Sequence, residues 1–165
     1  MGQISLINID DKINEELTNN IDTFEAMHDV KFRGNGKMVA DIAAITCRML
    51  IDRHCAAEWG GFLIVDNETR FIVGSCAFKG SPTPEGIAEI AYFTFPKFEG
   101  KGYGTLMVQE LMNIAIQSGK IKKLIAQTSP EISPATKVLE KCGWNNTGEI
   151  TDPEDGLVWQ WEFLL

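Results

Sequence analysis

Three glycines at alternate positions, Gly100-Lys101-Gly102-Tyr103-Gly104, follow a run rich in Ile, Phe and Tyr and precede a helical one. A strand that breaks on glycines and restarts as a helix aims several unpaired backbone N–H groups and a helix dipole at one spot, which suits a phosphate or pyrophosphate. Glycine matters there because a Cβ would hold the ligand oxygens away from the amides. Lys97 and Lys101 add positive charge beside the cluster. The spacing is not the Gly-x-Gly-x-x-Gly of a dinucleotide fold, and the next strand ends in Gln127-Thr128 with no acid for a ribose. Nor does a Gly-Lys-Ser/Thr close the cluster as in a P-loop. The alternative to a phosphate cradle is a tight strand-to-helix turn that holds nothing.

The elements that must position this turn are readable on both sides of it. Residues 4–9 form a first strand, and Asp10-Asp11 cap a short helix over 12–17. After the break at Gly34-Asn35-Gly36, Val39, Ile42, Ala43, Cys47, Leu50 and Ile51 keep a helical period, predicting an amphipathic helix over 37–57 that Gly60-Gly61 stops. Residues 62–65, 70–78 and 87–95 read as an antiparallel meander, with turns at 66–69 and 80–86, closed by Pro96. Beyond the glycines, Leu106, Val108, Leu111, Met112, Ala115 and Ile116 lie on a helix ended by Ser118-Gly119, and 123–127 is a short buried strand. Pro134 starts another helix, Cys142-Gly143 ends it, and a hairpin closes the chain around the turn at 152–156. No repeat or low-complexity linker divides the sequence, so residues 1–165 read as one domain.

Composition narrows the partners. A formal charge of −8 with no basic run argues against nucleic-acid binding and is compatible with a cationic substrate such as an amine. Apolar stretches such as Ile42-Ala43-Ala44-Ile45 and Phe71-Ile72-Val73 are too short to cross a bilayer, and Met1-Gly2-Gln3-Ile4-Ser5 is not a basic-then-apolar leader, so no membrane partner and a cytoplasmic location are expected. Cys47, Cys55, Cys76 and Cys142 are scattered and read as reduced thiols. His54-Cys55 with Cys47 two helical turns earlier lacks the further ligands of a tetrahedral site, so no metal is expected.

The stretch from Glu89 through Tyr92-Phe93-Thr94-Phe95-Pro96 to Gly104, followed by Pro130-Glu131 and Val138-Leu139-Glu140-Lys141-Cys142-Gly143-Trp144, closely resembles the GNAT superfamily of N-acetyltransferases. Within it the chain looks most like the branch that includes the ribosomal-protein N-terminal acetyltransferases, and the match covers roughly residues 60–163. The resemblance implies a mixed α/β (α+β) fold. Its central, mostly antiparallel sheet of about six to seven strands would be flanked by helices and splay between the fourth and fifth strands. It implies acetyl-CoA as acyl donor, its pyrophosphate on the backbone amides of Gly100, Lys101, Gly102, Tyr103, Gly104 and Thr105, and its pantetheine arm along the main chain of Phe93, Thr94 and Phe95. Similar proteins are frequently homodimers. This sequence departs from the family pattern in carrying Glu99 for an Arg or Gln at the start of the loop, Ile132 for an Asn, Ala135 for a Ser, and Leu139 for a tyrosine that can serve as general acid.

Acetyl transfer to a primary amine, whether of a protein N-terminus or a small molecule, needs the neutral amine, and an alkylamine of pKa about 10.4 is almost wholly protonated at pH 7. A carboxylate acting directly or through water removes that proton. Glu89 matches in position an acid common in this branch; the other reading of it is a strand glutamate paired with a nearby lysine. Glu85, in the Pro/Gly connection, could act only through water. A backbone N–H near Thr94 or Phe95 is the expected donor to the oxygen that gains charge. A thiolate leaves readily, and direct attack makes Cys76 and Cys142 unnecessary as acyl carriers. The apolar stripe of the helix over 37–57 reads as core packing, and the resemblance offers the alternative that Met38, Met49 and Trp59 line a substrate cleft. Opposed to the enzyme stands a GNAT-like domain that binds CoA, or regulates, without transferring acetyl groups; Glu99, Ile132 and Ala135 favour it.

Overall fold

The computed structural model describes residues 3–165. Seven strands, β1 (Ile4–Asn8), β2 (Gly61–Asp66), β3 (Ile72–Phe78), β4 (Ile87–Thr94), β5 (Lys123–Thr128), β6 (Asn145–Asp152) and β7 (Gly156–Leu164), form one sheet in the order β1-β2-β3-β4-β5-β7-β6. Every neighbouring pair is antiparallel except β4 and β5. That one parallel pair needs a crossover, supplied by the helix α4 (Tyr103–Ser118). The remaining helices are α1 (Asp11–Asn19), α2 (Ile21–His28), α3 (Gly36–Asp52) and α5 (Pro134–Lys141).

The two faces of the sheet are covered unequally. On one, α4 buries Tyr103, Met107, Val108, Leu111 and Ala115 against β3 and β4. Gly74 makes that approach possible, since a Cβ there would stand 2.6 Å from the Met107 methyl and 2.3 Å from the Phe93 carbonyl. On the other face α3 lies over β2: a Cβ on Gly61 would meet the Thr46 hydroxyl at 3.1 Å. Register carries these faces across the sheet. Ala77 pairs with Gly61 and Ala91 with Ala77, so Glu89, Ala91 and Phe93 project to the α3 side, while Tyr92 and Thr94 project to the α4 side.

Sequence and structure differ at three boundaries for local reasons. Asn20 ends α1 and at once caps α2, its Oδ1 accepting the Thr23 N–H at 3.2 Å, so a second helix stands where none was predicted. The helix expected over 37–57 stops at Asp52, because His54 turns to a φ of 52° and the chain re-enters a short 3-10 turn at Ala57–Trp59. Arg70 has a φ of 63°, which delays the third strand to Ile72. Among the described residues no helix is long and apolar enough to cross a membrane.

Candidate active site

β4 and β5 pair over only four residues, from Ile87↔Lys123 to Ile90↔Ala126. Beyond that point each strand keeps its outer neighbour, Thr94 with Gly74 on one side and Gln127 with Gln160 on the other, so a gap opens between them. Helix α5 stands against the opening, held by a 2.7 Å hydrogen bond that the Tyr92 hydroxyl donates to the Ala135 carbonyl. The splay implied by the resemblance is therefore present, and it begins at Ala91.

Which main-chain groups face the gap follows from antiparallel alternation. Lys79 N–H donates to the Glu89 carbonyl at 2.9 Å and Phe95 N–H to the Val73 carbonyl at 2.9 Å, so residues 89, 91 and 93 turn their N–H and C=O toward β3, as Phe95 does its N–H. Tyr92 and Thr94 turn theirs toward the gap. This differs from the expectation for Phe93, whose backbone groups face β3, and for Phe95, whose N–H is bonded to Val73 and whose carbonyl accepts the Phe98 N–H at 2.8 Å. Phe95 is wholly buried, whereas the Phe93 ring, 46% exposed, lines the gap with its side chain.

At its far end the gap runs into the glycine turn, forming a cleft of about 270 Å³ lined by Tyr92, Phe93, Thr94, Glu99, Gly100, Gly102, Gly104 and the α5 residues Pro134, Ala135 and Val138. Gly100 (φ 75°) and Gly102 (φ 86°) hold left-handed conformations that direct the turn into α4. The amides of Tyr103, Gly104 and Thr105 open that helix and have no intrahelical partner. Gly104 faces the cleft, and a Cβ on it would come within 3.2 Å of Val138. A cradle of amides floored by glycine fits a pyrophosphate. Glu99, exposed on the rim, is the opposing charge. The nearby cations are turned elsewhere: Lys97 donates to the Arg33 carbonyl at 3.2 Å and the Lys101 ammonium lies 5.8 Å from the centre of the Phe98 ring. The Tyr103 side chain points into the core, where its hydroxyl donates to Asp66 Oδ2 at 2.5 Å, leaving only its backbone for a ligand.

On the α3 side of the sheet, Glu89 is half-buried and pairs with Lys79 Nζ at 3.2 Å. It occupies the last position but one before the splay, so a carboxylate stands at the inner end of the gap. Gln127 follows on the same face of β5. Asp152, at the turn between β6 and β7, accepts the backbone N–H groups of Glu154 and Asp155 at 2.8 and 3.0 Å. Those two N–H groups, assisted by the Gln127 side chain and the charge of Lys79 and opposed by slight desolvation, hold its carboxyl below the usual range. A broad cleft of about 550 Å³ lies between α3 and this turn, lined by Ala44, Ile45, Arg48, Met49, Asp52, Arg53 and Glu154.

Of the three residues offered as cleft-lining, Met49 lines a cleft, whereas Trp59 does not. Its ring is buried in the core, edge-on to Phe78 at 5.3 Å, and Met38 packs against the same core. Glu85 is exposed in its loop. Leu139 is fully buried, so the tyrosine position of the family is part of the core here; Tyr92 lines the cleft from β4 with its hydroxyl engaged on the Ala135 carbonyl. Burial pushes the thiol of Cys76 up, and that of Cys142 too, as expected of inert side chains. Sequence reasoning missed Lys79, Gln127, Asp152 and Tyr92. The first three meet only through strand register, and Tyr92 was read as nothing but a strand former.

Comparison with known proteins agrees with this geometry. Residues 17–145, more than half of the chain, match the family described as Acetyltransferase (GNAT) domain. An uncharacterized N-acetyltransferase p20 of Bacillus licheniformis is 28% identical over 107 residues, covering 65% of this chain; the chain spans 60% of that relative's length. Among solved structures, the acetyltransferase of Salmonella typhimurium that modifies the N-terminal serine of ribosomal protein L7/L12 superposes with a TM-score of 0.68 at 14% identity, covering all of this chain and 96% of its own. The microcin C7 self-immunity acetyltransferase, solved with acetyl-CoA and AMP, superposes with a TM-score of 0.67 at 18% identity, covering 99% of this chain and 93% of its own. At these identities the likeness is one of fold.

Proposed function

The chain belongs to the GNAT acetyltransferase family, and from that premise we propose that it transfers the acetyl group of acetyl-CoA to a primary amine, with Glu89 as the base. The observation that carries this reading is the gap between β4 and β5, whose unpaired main-chain edge runs from a carboxylate at one end to a glycine-floored cradle of amides at the other. When bound, acetyl-CoA supplies a thioester whose acyl carbon an amine can attack. The amides of Gly102 to Thr105 hold the pyrophosphate, and the groups of Tyr92 and Thr94 that face the gap take the place of the missing ladder partner along the pantetheine arm. The Tyr92 N–H, nearer the inner end, donates to the acyl oxygen as it gains charge. Glu89, directly or through water, accepts the proton of the incoming ammonium, and Lys79 keeps its carboxylate oriented. The amine reaches it along the cleft between α3 and the β6–β7 turn.

The test is thermal unfolding with and without acetyl-CoA, together with thiol release over a panel of primary amines. Amine-dependent thiol release that falls about 10²- to 10⁴-fold in Glu89→Gln, with acetyl-CoA still raising the melting temperature, supports the enzyme and its base. Stabilisation without thiol release for any amine supports the second reading, a CoA-binding domain without turnover, for which Glu99 on the cleft rim is the specific observation.

A further inference from the structure

The cleft between α3 and the β6–β7 turn has one apolar wall and one cation without a partner. Ile45, Met49 and Arg53 follow one another at four-residue spacing, so they stack along one stripe of α3 and its C-terminal cap. Ile45 is 69% exposed, and together with Ala44 and Met49 it makes that wall apolar. Of the charges on the same wall, Arg48 and Asp52 neutralise each other at 3.3 Å. Arg53 forms no ion pair among the described residues, and neither does Glu154 across the cleft.

Arg53 is held in place next to the base. Its guanidinium donates to the Lys79 carbonyl, and its Cδ lies 3.4 Å from where a Cβ on Gly80 would stand. That bond engages one of five N–H donors, and the remaining edges of the planar group fit a carboxylate. Lys79 is also the cross-strand neighbour of Glu89: its N–H donates to the Glu89 carbonyl at 2.9 Å and its ammonium pairs with the Glu89 carboxylate at 3.2 Å. The Lys79 charge is therefore engaged, and Arg53 is the cation beside Glu89 that is open to a ligand.

Resting on the reading that a primary amine is acetylated beside Glu89, we infer that the acceptor is a free α-amino acid with an apolar side chain, its carboxylate held by Arg53 and its side chain laid against Ile45 and Met49. A carboxylate brought into this cleft meets like charges on Glu89 and Glu154, and the guanidinium offsets them. Anchoring the acceptor at two points fixes the direction of its nitrogen. The amide bond forms as the C–S bond of the thioester breaks; of the two protons the ammonium gives up, one passes to Glu89 before attack and the other neutralises the departing thiolate. An amine without a carboxylate gains nothing from Arg53.

The experiment measures thiol release by the full chain with acetyl-CoA and leucine, methionine or phenylalanine, each beside its amino alcohol, which keeps the amine and the side chain but carries CH2OH for the carboxylate. In the wild type kcat/KM is expected to be about tenfold higher for the amino acid than for its alcohol, a difference of about 1.4 kcal/mol. Arg53→Met is expected to bring that ratio to about one and Arg53→Lys to keep part of it, with Arg53→Gln repeating the loss should the methionine variant fold poorly. A merely structural Arg53 would lower both substrates alike and leave the ratio unchanged. Glycine is expected to be the poorest amino acid, and glycine matching leucine overturns the apolar wall. A wild-type ratio of one or below, or a ratio that survives both neutral variants, overturns the role of Arg53. Thiol release with other primary amines but with none of these overturns the acceptor class and leaves the acetyltransferase standing. No thiol release with any amine overturns the two together.

Discussion

Asp66 and Tyr103 are the clearest case of a side-chain pair that serves the site from outside it. Asp66 ends β2, accepts the N–H groups of Glu68 and Thr69 at 2.9 Å each, and takes the Tyr103 hydroxyl from the first turn of α4. Burial works to raise the Asp66 pKa, but the Tyr103 hydrogen bond and the two N–H donors outweigh it and hold the carboxyl below its usual value. Tyr103 is pushed up to about 12 by burial, by that hydrogen bond and by the Asp66 charge. A lowered acid stabilises the fold above its unfolded value of 3.8 and loses that contribution as pH falls through the folded value; a raised phenol stabilises below 10 and loses it as pH rises toward about 12. Thermal melts are therefore expected to fall off at both extremes, and Tyr103→Phe to flatten the alkaline limb and cost about 1–2 kcal/mol at neutral pH. A wild-type alkaline limb that matches the variant's would sink this assignment. None of this was legible in the sequence, where Tyr103 read as a ligand-side residue because of its place in the loop. Glu89 was singled out through the resemblance. Lys79 and Gln127 were not, because an isolated lysine or amide carries no signal until strand pairing puts it beside a carboxylate.

At the scale of elements, the glycine turn and the start of α4 were readable because the residue types needed there are few. Gly100 and Gly102 do take positive φ, and α4 begins at Tyr103. The length of the β4–β5 ladder was not readable: nothing in Ile87 to Phe95 marks Ile90 as the last paired residue, and the opening depends on α5 standing against it through Tyr92 and Ala135. Gly104 tests the cradle directly. Its missing Cβ faces the cleft and its backbone is helical, so Gly104→Val fills the floor of the cradle without forcing a left-handed residue. The expected outcome is loss of acetyl-CoA-induced stabilisation in a free protein that still melts cooperatively, at a temperature lowered by the crowding of Val138. Undiminished stabilisation would mean that the pyrophosphate lies elsewhere.

The whole molecule is a sheet with unequal cover. Helices α4 and α3 take opposite faces near β2, β3 and β4, while β6 is exposed along almost its whole length. If acetyl-CoA binds the folded chain alone, its effect is one of mass action: at a hundred times the dissociation constant the fold gains about 2.7 kcal/mol, readable as a concentration-dependent rise in melting temperature. A shift independent of ligand concentration would argue against binding to the native state. The individual strands and helices followed from hydrophobic period and turn residues, with α2 the exception, because Asn20 joins two short helices without a visible break; the mixed class came from the resemblance, and the strand order was not readable.

The four-residue seam between β4 and β5 divides the sheet into halves that are each continuous in sequence. β1 to β4 come from residues before 95, and β5 to β7 from residues after 122. Each half keeps its own antiparallel ladders if the chain is cut between them, yet neither half owns the gap. A nicked or split chain would therefore report its own reassembly, because the proposed acyl-donor site exists only while the two pieces are joined edge to edge.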